Sequence, residues 1–339
     1  MTTPELPALA GCHRLCLTPT RNERWIIAPF LAATRMWATR VIIADQGSTD
    51  GTREFLNSAP GVEVLPNPST EYDEAGRQRL LLSAARRVEG PRLLLGLDAD
   101  EALSANCAAS SDWVRIAAAA PGTVVRLRWV NLLPGLREAW IPPSHTPFGF
   151  IDDGSPHEGR AIHSPRVPHP AGAPFLDLDD IVVLHFQYTA WERMRSKQRW
   201  YQVWELLNGA SPLQIYRQYH HMHGGWPPEE IAPVDPAWLT GFAARGADFD
   251  RLESEPLPWW DREVVKLIEQ HGPGRFRRLA IWDRDWNAVA RQLGHKSPAF
   301  ADPRGPQERG AHRLLALTQA RRGGWSARGI ERALRLAGW

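Results

Sequence analysis

The chain has 339 residues, of which 43% are hydrophobic and 23% charged, a composition that excludes intrinsic disorder and supports a sizeable core. Its 40 lysines and arginines nearly balance 38 acidic residues, and the net charge of +2 argues against nucleic acid as a partner bound through bulk charge. Three cysteines argue against a disulfide scaffold, and neither a signal peptide nor an apolar stretch of about 18 residues is apparent, so we expect a cytoplasmic protein.

The first half of the chain alternates short apolar runs with segments of helical periodicity. Strands are predicted at 13–18, 40–45, 62–65 and 92–97, and helices between them at 25–37, 52–57 and 74–87. This alternation is typical of an α/β fold, with a mostly parallel sheet covered by helices on both faces. Ligands of such sheets bind at the carboxyl ends of the strands.

A different pattern begins at residue 134. Residues 134–174 are rich in proline, glycine and histidine, which predicts a long folded loop that lines an active site. A last strand is predicted at 180–188. Short helices are predicted after it, at 191–207, 236–244, 259–270, 286–293 and 328–336.

Composition changes near residue 190. Residues 191–339 hold 23 lysines and arginines against 17 acidic residues, and 11 of the 16 tryptophans. We therefore predict an α/β domain at 1–190 and a mainly helical region at 191–339 that is a candidate for acceptor binding. The arginines from Arg304 onward are compatible with weak contact with an anionic membrane surface, although a solvated terminal helix is the simpler interpretation. The histidines at 220, 221 and 223 match no usual zinc spacing.

Polar clusters follow three of the predicted strands, at 18–23 (TPTRNE), 45–52 (DQGSTDGT) and 98–101 (DADE). The second cluster puts the carboxylate of Asp45 at a strand end, followed by glycines for a tight turn and by residues that cap a helix. A nucleotide can lie across such a turn, although helix capping alone would account for the same residues.

The DADE cluster directly follows an apolar strand, and the pleat of that strand sends Asp98 and Asp100 in the same direction. Hard carboxylate ligands suit Mg²⁺ or Mn²⁺, which would bridge the two phosphates of a nucleoside diphosphate. A solvated loop is the alternative interpretation of this pattern taken alone.

In this order and strand context, the three clusters resemble motifs of the inverting family 2 glycosyltransferases. TPTRNE resembles their opening turn, DQGSTDGT their DDGSTDGT turn and LDADE their metal-binding DxD motif. The resemblance covers about residues 12–190 and implies that 1–190 is a GT-A catalytic domain, with 134–174 as its active-site loop. It also implies a nucleoside diphosphate sugar donor, with a UDP-sugar as the first choice, and Mn²⁺ or Mg²⁺ as cofactor. The acceptor stays open among a glycan, a natural product and a peptide.

The resemblance also implies roles for individual residues. The donor's nucleoside would be bound by Thr18, Pro19, Arg21, Glu23 and Asp45, and the ribose or metal by Asp98, with Asp100 as the direct metal ligand. Gln46 replaces the second aspartate of the family's turn, and its neutral amide leaves the base of the donor open. The family's processive signature is absent at its usual spacing, so transfer of a single sugar is predicted.

Two further residues are candidates by resemblance. The helix at 74–87 borders the donor pocket in relatives with a similar pattern, and we favour Arg79 over Arg77 for neutralising the diphosphate, with a solvated helix face as the alternative. His185 in VVLHFQY resembles a late histidine that completes the metal shell in GT-A enzymes, with a buried core histidine as the alternative. An imidazole ligand would favour Mn²⁺ over Mg²⁺.

An inverting transfer needs a general base that removes the acceptor's proton. Glu158, in a segment that resembles the acceptor-flanking HE motif of related transferases, is the first candidate, and Asp153 is the second. The predicted function is metal-dependent transfer of one sugar with inversion. The alternatives are a non-catalytic nucleotide- or glycan-binding protein on the same fold, a retaining GT-A transferase and, less favoured, a sugar-phosphate nucleotidyltransferase.

Overall fold

The computed structural model of the chain describes residues 9–69, 73–156, 159–160, 164, 166, 169–170, 172–223, 226, 228–252, 255, 257–295, 300–319 and 324–339. The chain divides into two compact units, Met1–Thr189 with Ala232–Ser254, and Ala190–Ile231 with Glu255–Trp339. The change of composition near residue 190 therefore coincides with a boundary between units. The segment Ala232–Ser254 returns to the first unit, which the composition does not indicate.

The first unit is an α/β domain in which strands and helices alternate. Its elements are β1 (His13–Thr20), α1 (Ile27–Thr34), β2 (Arg40–Asp45), α2 (Thr52–Ser58), β3 (Val62–Pro66), α3 (Glu74–Ala85), β4 (Arg92–Gly96), β5 (Glu101–Leu103), α4 (Asp112–Ala118), β6 (Val124–Leu132), β7 (Glu138–Trp140), β8 (Thr146–Ile151) and β9 (Phe175–His185). A short strand, β10 (Ile231–Pro233), lies where the chain returns to this unit.

The strands form one mixed sheet in the order β10-β7-β6-β8-β4-β1-β2-β3, with β9 beside β6 and β5 beside β9. Strand β1 lies between β2 and β4 and is parallel to both, and β3 is parallel to β2. The carboxyl ends of these four strands therefore share one edge of the sheet. The α/β class predicted from the sequence is confirmed.

Strands β7 and β8 lie inside the segment 134–174, which the sequence predicts to be a loop. Strand β8 reads TPFGFI and runs antiparallel to both β4 and β6. A Cβ atom on Gly149 would lie 2.3 Å from the carbonyl oxygen of Leu94 in β4, so close strand approach requires glycine here. The proline and glycine that suggest a loop are thus compatible with a strand packed against its neighbour.

Helix α3 packs against β1 and β2. Its buried residues Leu81, Ala84 and Ala85 join Leu15 and Leu94 of the sheet in one apolar cluster. Asp73 caps the helix, because its Oδ1 accepts a hydrogen bond of 2.9 Å from the backbone N–H of Gly76. Since α3 follows a strand of the parallel set, its first turns stand at the carboxyl edge of the sheet.

The second unit is helical. Its helices are α5 (Trp191–Leu207), α6 (Pro212–Tyr219), α7 (Trp259–His271), α8 (Trp286–Gln292), α9 (Pro306–Leu317) and α10 (Trp325–Leu336). The sequence does not predict α6 and α9, and the helix predicted at 236–244 is instead two single 3₁₀ turns in the segment that belongs to the first unit. Glycines with positive φ at Gly241 and Gly246 interrupt helical geometry there. Among the described residues, no helix combines the length and apolarity needed to span a membrane.

Arg217 of α6 ties the terminal helices of this unit together. Its guanidinium donates to the carbonyl oxygen of Leu315 at 2.9 Å and to Thr318 Oγ1 at 2.8 Å, at the end of α9. It also forms an ion pair of 3.0 Å with Glu331 of α10. A single buried arginine thus supplies donors to the carbonyl end of one helix and a charge partner to the next.

Candidate active site

The carboxyl ends of β1 and β2 meet at Asp45. The register pairs Thr20 with Asp45, whose side chain is fully buried. Asp45 Oδ1 accepts hydrogen bonds from Ser48 Oγ at 2.5 Å and Thr20 Oγ1 at 3.4 Å, and Asp45 Oδ2 pairs with Arg53 Nε at 2.8 Å. The carboxylate therefore organises the turn that follows β2, but it does not cap α2, whose N-cap residue Gly51 has no side-chain cap hydrogen bond.

Hydrogen bonds join this turn to the turn that follows β1. The backbone N–H of Asn22 donates to Ser48 Oγ at 2.9 Å, and Asn22 Oδ1 accepts from the N–H of Thr49 at 2.7 Å. The N–H of Glu23 donates to Thr52 Oγ1 at 2.9 Å. Asn22 has a positive φ of 57°, a conformation that asparagine tolerates better than most residues. The two joined turns, residues 18–23 and 45–52, form what we call the rim. No role is predicted for Asn22 from the sequence, yet its hydrogen bonds lie at the centre of the rim.

A narrow pocket of about 50 Å³ opens beside the rim. The strand ends, the first turns of α3 and the loop after β8 all contribute to it. Its polar or strand-end lining residues are Pro19, Gly96, Leu97, Asp98, Glu74, Arg77, Gln78, Ser164 and Arg166. The sequence prediction of a ligand site at the carboxyl edge of the sheet agrees with the position of this pocket.

Pro19 is the member of the predicted nucleoside set from β1 that lines the pocket. Thr18 is fully buried, and its hydroxyl lies 3.5 Å from Cys16 Sγ. Neighbouring residues of a strand point to opposite faces, so Thr18 and Pro19 cannot both face the same cavity. The side chain of Thr18 therefore lies on the face of the strand opposite the pocket.

The other predicted nucleoside residues lie in the rim. The Oε2 atom of Glu23 accepts a hydrogen bond of 2.7 Å from Trp25 Nε1. Gln46 Nε2 donates to the carbonyl oxygen of Ser69 at 2.9 Å. Arg21 is half-buried in the turn after β1. These side chains shape the rim through contacts within the protein.

The arginine that reaches the pocket is Arg77, and the sequence-based preference for Arg79 is not supported by the structure. Arg77 lines the pocket beside Glu74, with which it forms an ion pair of 3.4 Å. The side chain of Arg79 is 61% exposed, and its Nη2 atom lies 3.9 Å from Asp73 Oδ2. Helical periodicity is the reason, because residues three or four apart share a face of α3 whereas residues 77 and 79 do not.

Arg166 forms the centre of a charge cluster at the tip of β4. Its Nη2 atom lies 2.8 Å from Asp98 Oδ2 and 2.7 Å from Glu101 Oε1. Glu101 Oε2 also accepts a hydrogen bond of 2.9 Å from the N–H of Asp98. Burial raises the pKa of Glu101, and the charge of Arg166 opposes that rise. Neither Arg166 nor Glu101 is given a role from the sequence, although Glu101 belongs to the DADE cluster and the loop that carries Arg166 is predicted to line the site.

Asp100 and His185 lie side by side because β5 pairs with β9. The register pairs Glu101 with His185, and the N–H of Phe186 donates to the carbonyl oxygen of Asp100 at 2.8 Å. Both side chains are buried, with His185 Nε2 3.7 Å from Asp100 Oδ2. The imidazole also stacks on Trp129, with ring centroids 4.9 Å apart.

Asn131 determines which ring nitrogen of His185 carries the proton when the ring is neutral. The amide nitrogen of Asn131 donates to the carbonyl oxygen of Trp140 at 3.2 Å, which orients Asn131 Oδ1 toward the imidazole. That oxygen accepts from His185 Nδ1 at 2.7 Å, so Nδ1 carries the proton in the neutral ring. The Nε2 atom on the Asp100 side is then unprotonated and suited to metal binding.

The described residues contain no group of three or more carboxylates, imidazoles or thiolates that could hold a metal ion alone. Metal ions that bind with nucleotides commonly take one or two protein ligands and complete their shell with phosphate and water. Asp100 and His185 fit that pattern, since Asp100 Oδ2 lies 3.7 Å from His185 Nε2, which carries a lone pair in the neutral ring. The donor set is therefore compatible with Mn²⁺ or Mg²⁺ bound together with a nucleotide.

Residues 16–109 match the family model described as glycosyl transferase family 2. This stretch, just over a quarter of the chain, is similar to the family 2 glycosyltransferases. The matched segment runs from β1 through both joined turns to the Asp98–Asp100 motif. No curated protein matches the chain by sequence.

Several solved structures resemble parts of the chain. Glucosyl-3-phosphoglycerate synthase from Mycobacterium tuberculosis, in complex with Mn²⁺, UDP and phosphoglyceric acid, is 20% identical over 28% of this chain and 36% of that chain, with a TM-score of 0.22. GalNAc-T7, in complex with UDP, GalNAc and Mn²⁺, is 12% identical over 77% of this chain and 58% of that chain, with a TM-score of 0.31. The inositol-1-phosphate CTP transferase from T. maritima is 10% identical over 52% of this chain and 89% of that chain, with a TM-score of 0.29. The chain spans less than half the length of the mycobacterial structures that it matches.

The structure does not bring Asp153, the second candidate base, to the pocket. Strand β8 is antiparallel to β4, with Ile151 paired to Leu93, so the residues after β8 lie at the amino end of β4. Asp98 follows the opposite end, roughly 20 Å away along an extended strand. Asp153 Oδ1 instead accepts from the N–H and Oγ of Ser155, at 2.9 and 2.6 Å. Glu158, the first candidate, lies outside the described residues.

Asp152→Asn is expected to lower the free energy of unfolding of the protein by about 3 kcal/mol at pH 7, because it removes the charge partner of two arginines. The buried carboxylate of Asp152 binds Arg86 Nη2 and Arg92 Nη2, each at 2.8 Å. Burial raises the pKa of Asp152, but the hydrogen bonds from Arg86, the N–H of Gly154 and Arg92 outweigh it, and the pKa is lowered.

A carboxyl group with a lowered pKa stabilises the folded state above its unfolded pKa of about 4 and loses that contribution as the pH falls through its folded value. The difference between wild type and Asp152→Asn should therefore be largest at pH 5 to 7 and shrink below about pH 4. Urea unfolding followed by tryptophan fluorescence over this range measures it. Glu63→Gln, which breaks an exposed ion pair with Arg87, is the control and should cost less than about 1 kcal/mol. A difference that stays constant down to pH 3 would contradict the assignment.

Proposed function

We propose that the protein transfers a single sugar from a nucleoside diphosphate sugar, with a UDP-sugar as the first choice, to an acceptor nucleophile with inversion and with a divalent cation. One observation carries the proposal. Asp98 lies on the wall of a pocket at the carboxyl edge of the sheet, two residues from Asp100, which lies beside His185. The family match supports the class of reaction.

The pocket lining carries two guanidinium groups that are candidates to contact a diphosphate, and each is paired with carboxylates of the protein. Arg77 on α3 lines the pocket on one side, and Arg166 in the loop lines it on another. Guanidinium groups bind phosphate oxygens through paired donors, so these two arginines replace Arg79 as the proposed diphosphate contacts. The joined rim around Asn22 would hold the nucleoside, with Asp45 shaping the rim from within.

Asp100 and His185 are the residues that would hold Mn²⁺ or Mg²⁺, and such a cation supplies positive charge that stabilises a departing nucleoside diphosphate. Asn131 holds the proton of His185 on Nδ1, which keeps Nε2 directed toward Asp100 as a lone-pair donor. Asp98 faces the pocket itself, where its carboxylate is positioned to contact the ribose or the cation's outer ligands.

Glu158 remains the proposed general base. The residue after it in sequence, Gly159, packs against α3 so closely that a Cβ atom would lie 2.2 Å from Gln78 Oε1. Ser164 donates from its Oγ to Gln78 Oε1 at 2.9 Å and from its backbone N–H to Glu74 Oε2 at 2.7 Å. These contacts support a base from this loop, because they hold the described residues after Glu158 against the face of α3 that lines the pocket.

A panel of nucleoside diphosphate sugars, each with Mn²⁺, with Mg²⁺ and with a chelator, tests the proposal by thermal unfolding and by release of the nucleoside diphosphate. We expect donors with one base to stabilise the protein by about 2.7 kcal/mol at a concentration 100 times the dissociation constant, and only when the cation is present. We also expect slow hydrolysis of the same donors. Stabilisation without hydrolysis or transfer would indicate the binding protein, and a product with retained anomeric configuration would indicate the retaining enzyme. The proposal fails if no donor binds under any condition.

A further inference from the structure

A second pocket opens in the helical unit, between α6, α9 and the segments that connect the helices. It has a volume of about 560 Å³. Its lining is rich in cationic and imidazole side chains, namely His220, His223, Arg304, Arg309, His312 and Arg313. It lies in a different unit from the pocket beside Asp98, and neither the family match nor the proposed sugar transfer accounts for it.

The carboxylate in this lining, Asp283, is neutralised by arginines of α5. Asp283 accepts hydrogen bonds from Arg199 Nε at 3.0 Å and Nη2 at 2.7 Å, and it also pairs with Arg195. Burial raises the pKa of Asp283, but the hydrogen bond and charge of Arg199 and the charge of Arg195 outweigh it, and the pKa is lowered. Asp283 therefore stays ionised, and its charge is already matched before the arginines of the lining are counted.

Among the described residues, the carboxylates near the arginines of the lining are too few to neutralise them. Arg304 binds Asp302 through Nε at 3.0 Å and Nη2 at 2.9 Å, and Arg309 binds the same carboxylate at 3.0 Å. Arg313, one turn after Arg309 on α9, is exposed, and no carboxylate of the described part of the chain lies within ion-pair distance of it. One carboxylate for three guanidinium groups leaves an excess of positive charge that faces the cavity.

His312 orients one of these arginines. Its Nε2 lies 3.0 Å from the carbonyl oxygen of Arg278, which can only accept, so Nε2 carries the proton. His312 Nδ1 then accepts from Arg304 Nη1 at 3.5 Å. Burial lowers the pKa of His312 to about 4, so the ring is neutral near pH 7 and acts as an acceptor for Arg304. The guanidinium is thus held at the wall of the cavity from two sides, by His312 and by Asp302.

We propose that this pocket binds the phosphate group of a phosphomonoester, with Arg304, Arg309 and Arg313 as its cationic contacts. A phosphomonoester dianion presents three terminal oxygens, which match the paired donors of several guanidinium groups better than a single carboxylate does. The cavity is much larger than a phosphate ion, so it leaves room for the organic part of the molecule. A soluble metabolite and the headgroup of phosphatidic acid both present this group.

Isothermal titration of the full chain with glycerol 3-phosphate tests the proposal. Arg313→Glu and Arg309→Glu are each expected to raise the dissociation constant at least about tenfold, because each replaces an attractive charge by a repulsive one. Both side chains are exposed, so the fold should persist, and circular dichroism checks this. Arg332→Glu makes the same change of charge at an exposed position of α10 outside the pocket and should alter the dissociation constant less than about twofold.

Vesicles of phosphatidylcholine with and without phosphatidic acid form the second arm of the experiment. Binding of glycerol 3-phosphate that is sensitive to Arg313→Glu identifies a soluble phosphomonoester as sufficient. Binding only to phosphatidic acid vesicles, with the same sensitivity, supports the lipid headgroup as the source. If Arg77→Glu in the first unit abolishes binding while Arg313→Glu does not, the phosphate binds in the other pocket and the proposal is overturned. It is equally overturned if neither probe binds in a way that depends on Arg313.

Discussion

Asp100→Asn is expected to lower the rate of cation-dependent sugar transfer by about a thousandfold, since such a change removes an anionic ligand from the site where diphosphate charge develops. The amide has nearly the same shape as the carboxylate, and the backbone hydrogen bond from Phe186 to Asp100 does not depend on the side chain. Thermal unfolding should therefore change little. Affinity for Mn²⁺, measured by electron paramagnetic resonance in the presence of the nucleoside diphosphate, should fall with activity.

Asp153→Asn is the matched control for this experiment, because it makes the same chemical change at the opposite edge of the sheet. It should leave both the transfer rate and Mn²⁺ affinity close to those of the wild type. Full activity in Asp100→Asn would remove the metal assignment. Loss of transfer in Asp153→Asn, with the fold intact, would instead restore the base that the sequence names second.

Arg166→Ala is expected to lower the free energy of unfolding by about 3 kcal/mol, because it leaves a buried carboxylate without its charge partner. The side chain of Glu101 is fully buried, and Arg166 binds both of its oxygens, at 2.7 and 3.2 Å. The same substitution should weaken binding of a nucleoside diphosphate about tenfold, since it removes a cation from the pocket lining. Urea unfolding and titration with UDP measure the two effects separately.

Two variants make this prediction specific. Arg166→Lys keeps the positive charge but not the paired donors, so it should recover part of the stability and less of the affinity. Arg160→Ala removes an exposed arginine from the same loop and should change the free energy of unfolding by less than about 0.5 kcal/mol. An Arg166→Ala protein as stable as the wild type would show that the cluster with Asp98 and Glu101 does not stabilise this part of the fold.

The strands that carry the candidate site are predictable from local patterns. The apolar runs of β1, β2 and β4 and the helical spacing of α3 are short-range signals, and the structure contains each element within a few residues of its predicted bounds. The polar clusters at the strand ends are also local, which is why Asp98 and Asp100 can be named from sequence. Which residues of a helix face a pocket is harder to predict when the position of the pocket is unknown. This explains why the sequence favours Arg79, whereas Arg77 lines the pocket.

Other features depend on pairing between residues far apart in the chain. Arg166 reaches Asp98 and Glu101 across more than 60 residues, and His185 reaches Asp100 through the pairing of β5 with β9. The antiparallel direction of β8 carries Asp153 to the amino end of β4, away from Asp98, whereas Arg166 of the same predicted loop lines the pocket. Apolar periodicity and turn residues involve positions that are close in sequence, so they can be recognised from the sequence alone. Strand order and direction arise only when the sheet assembles, and they select which charged side chains meet.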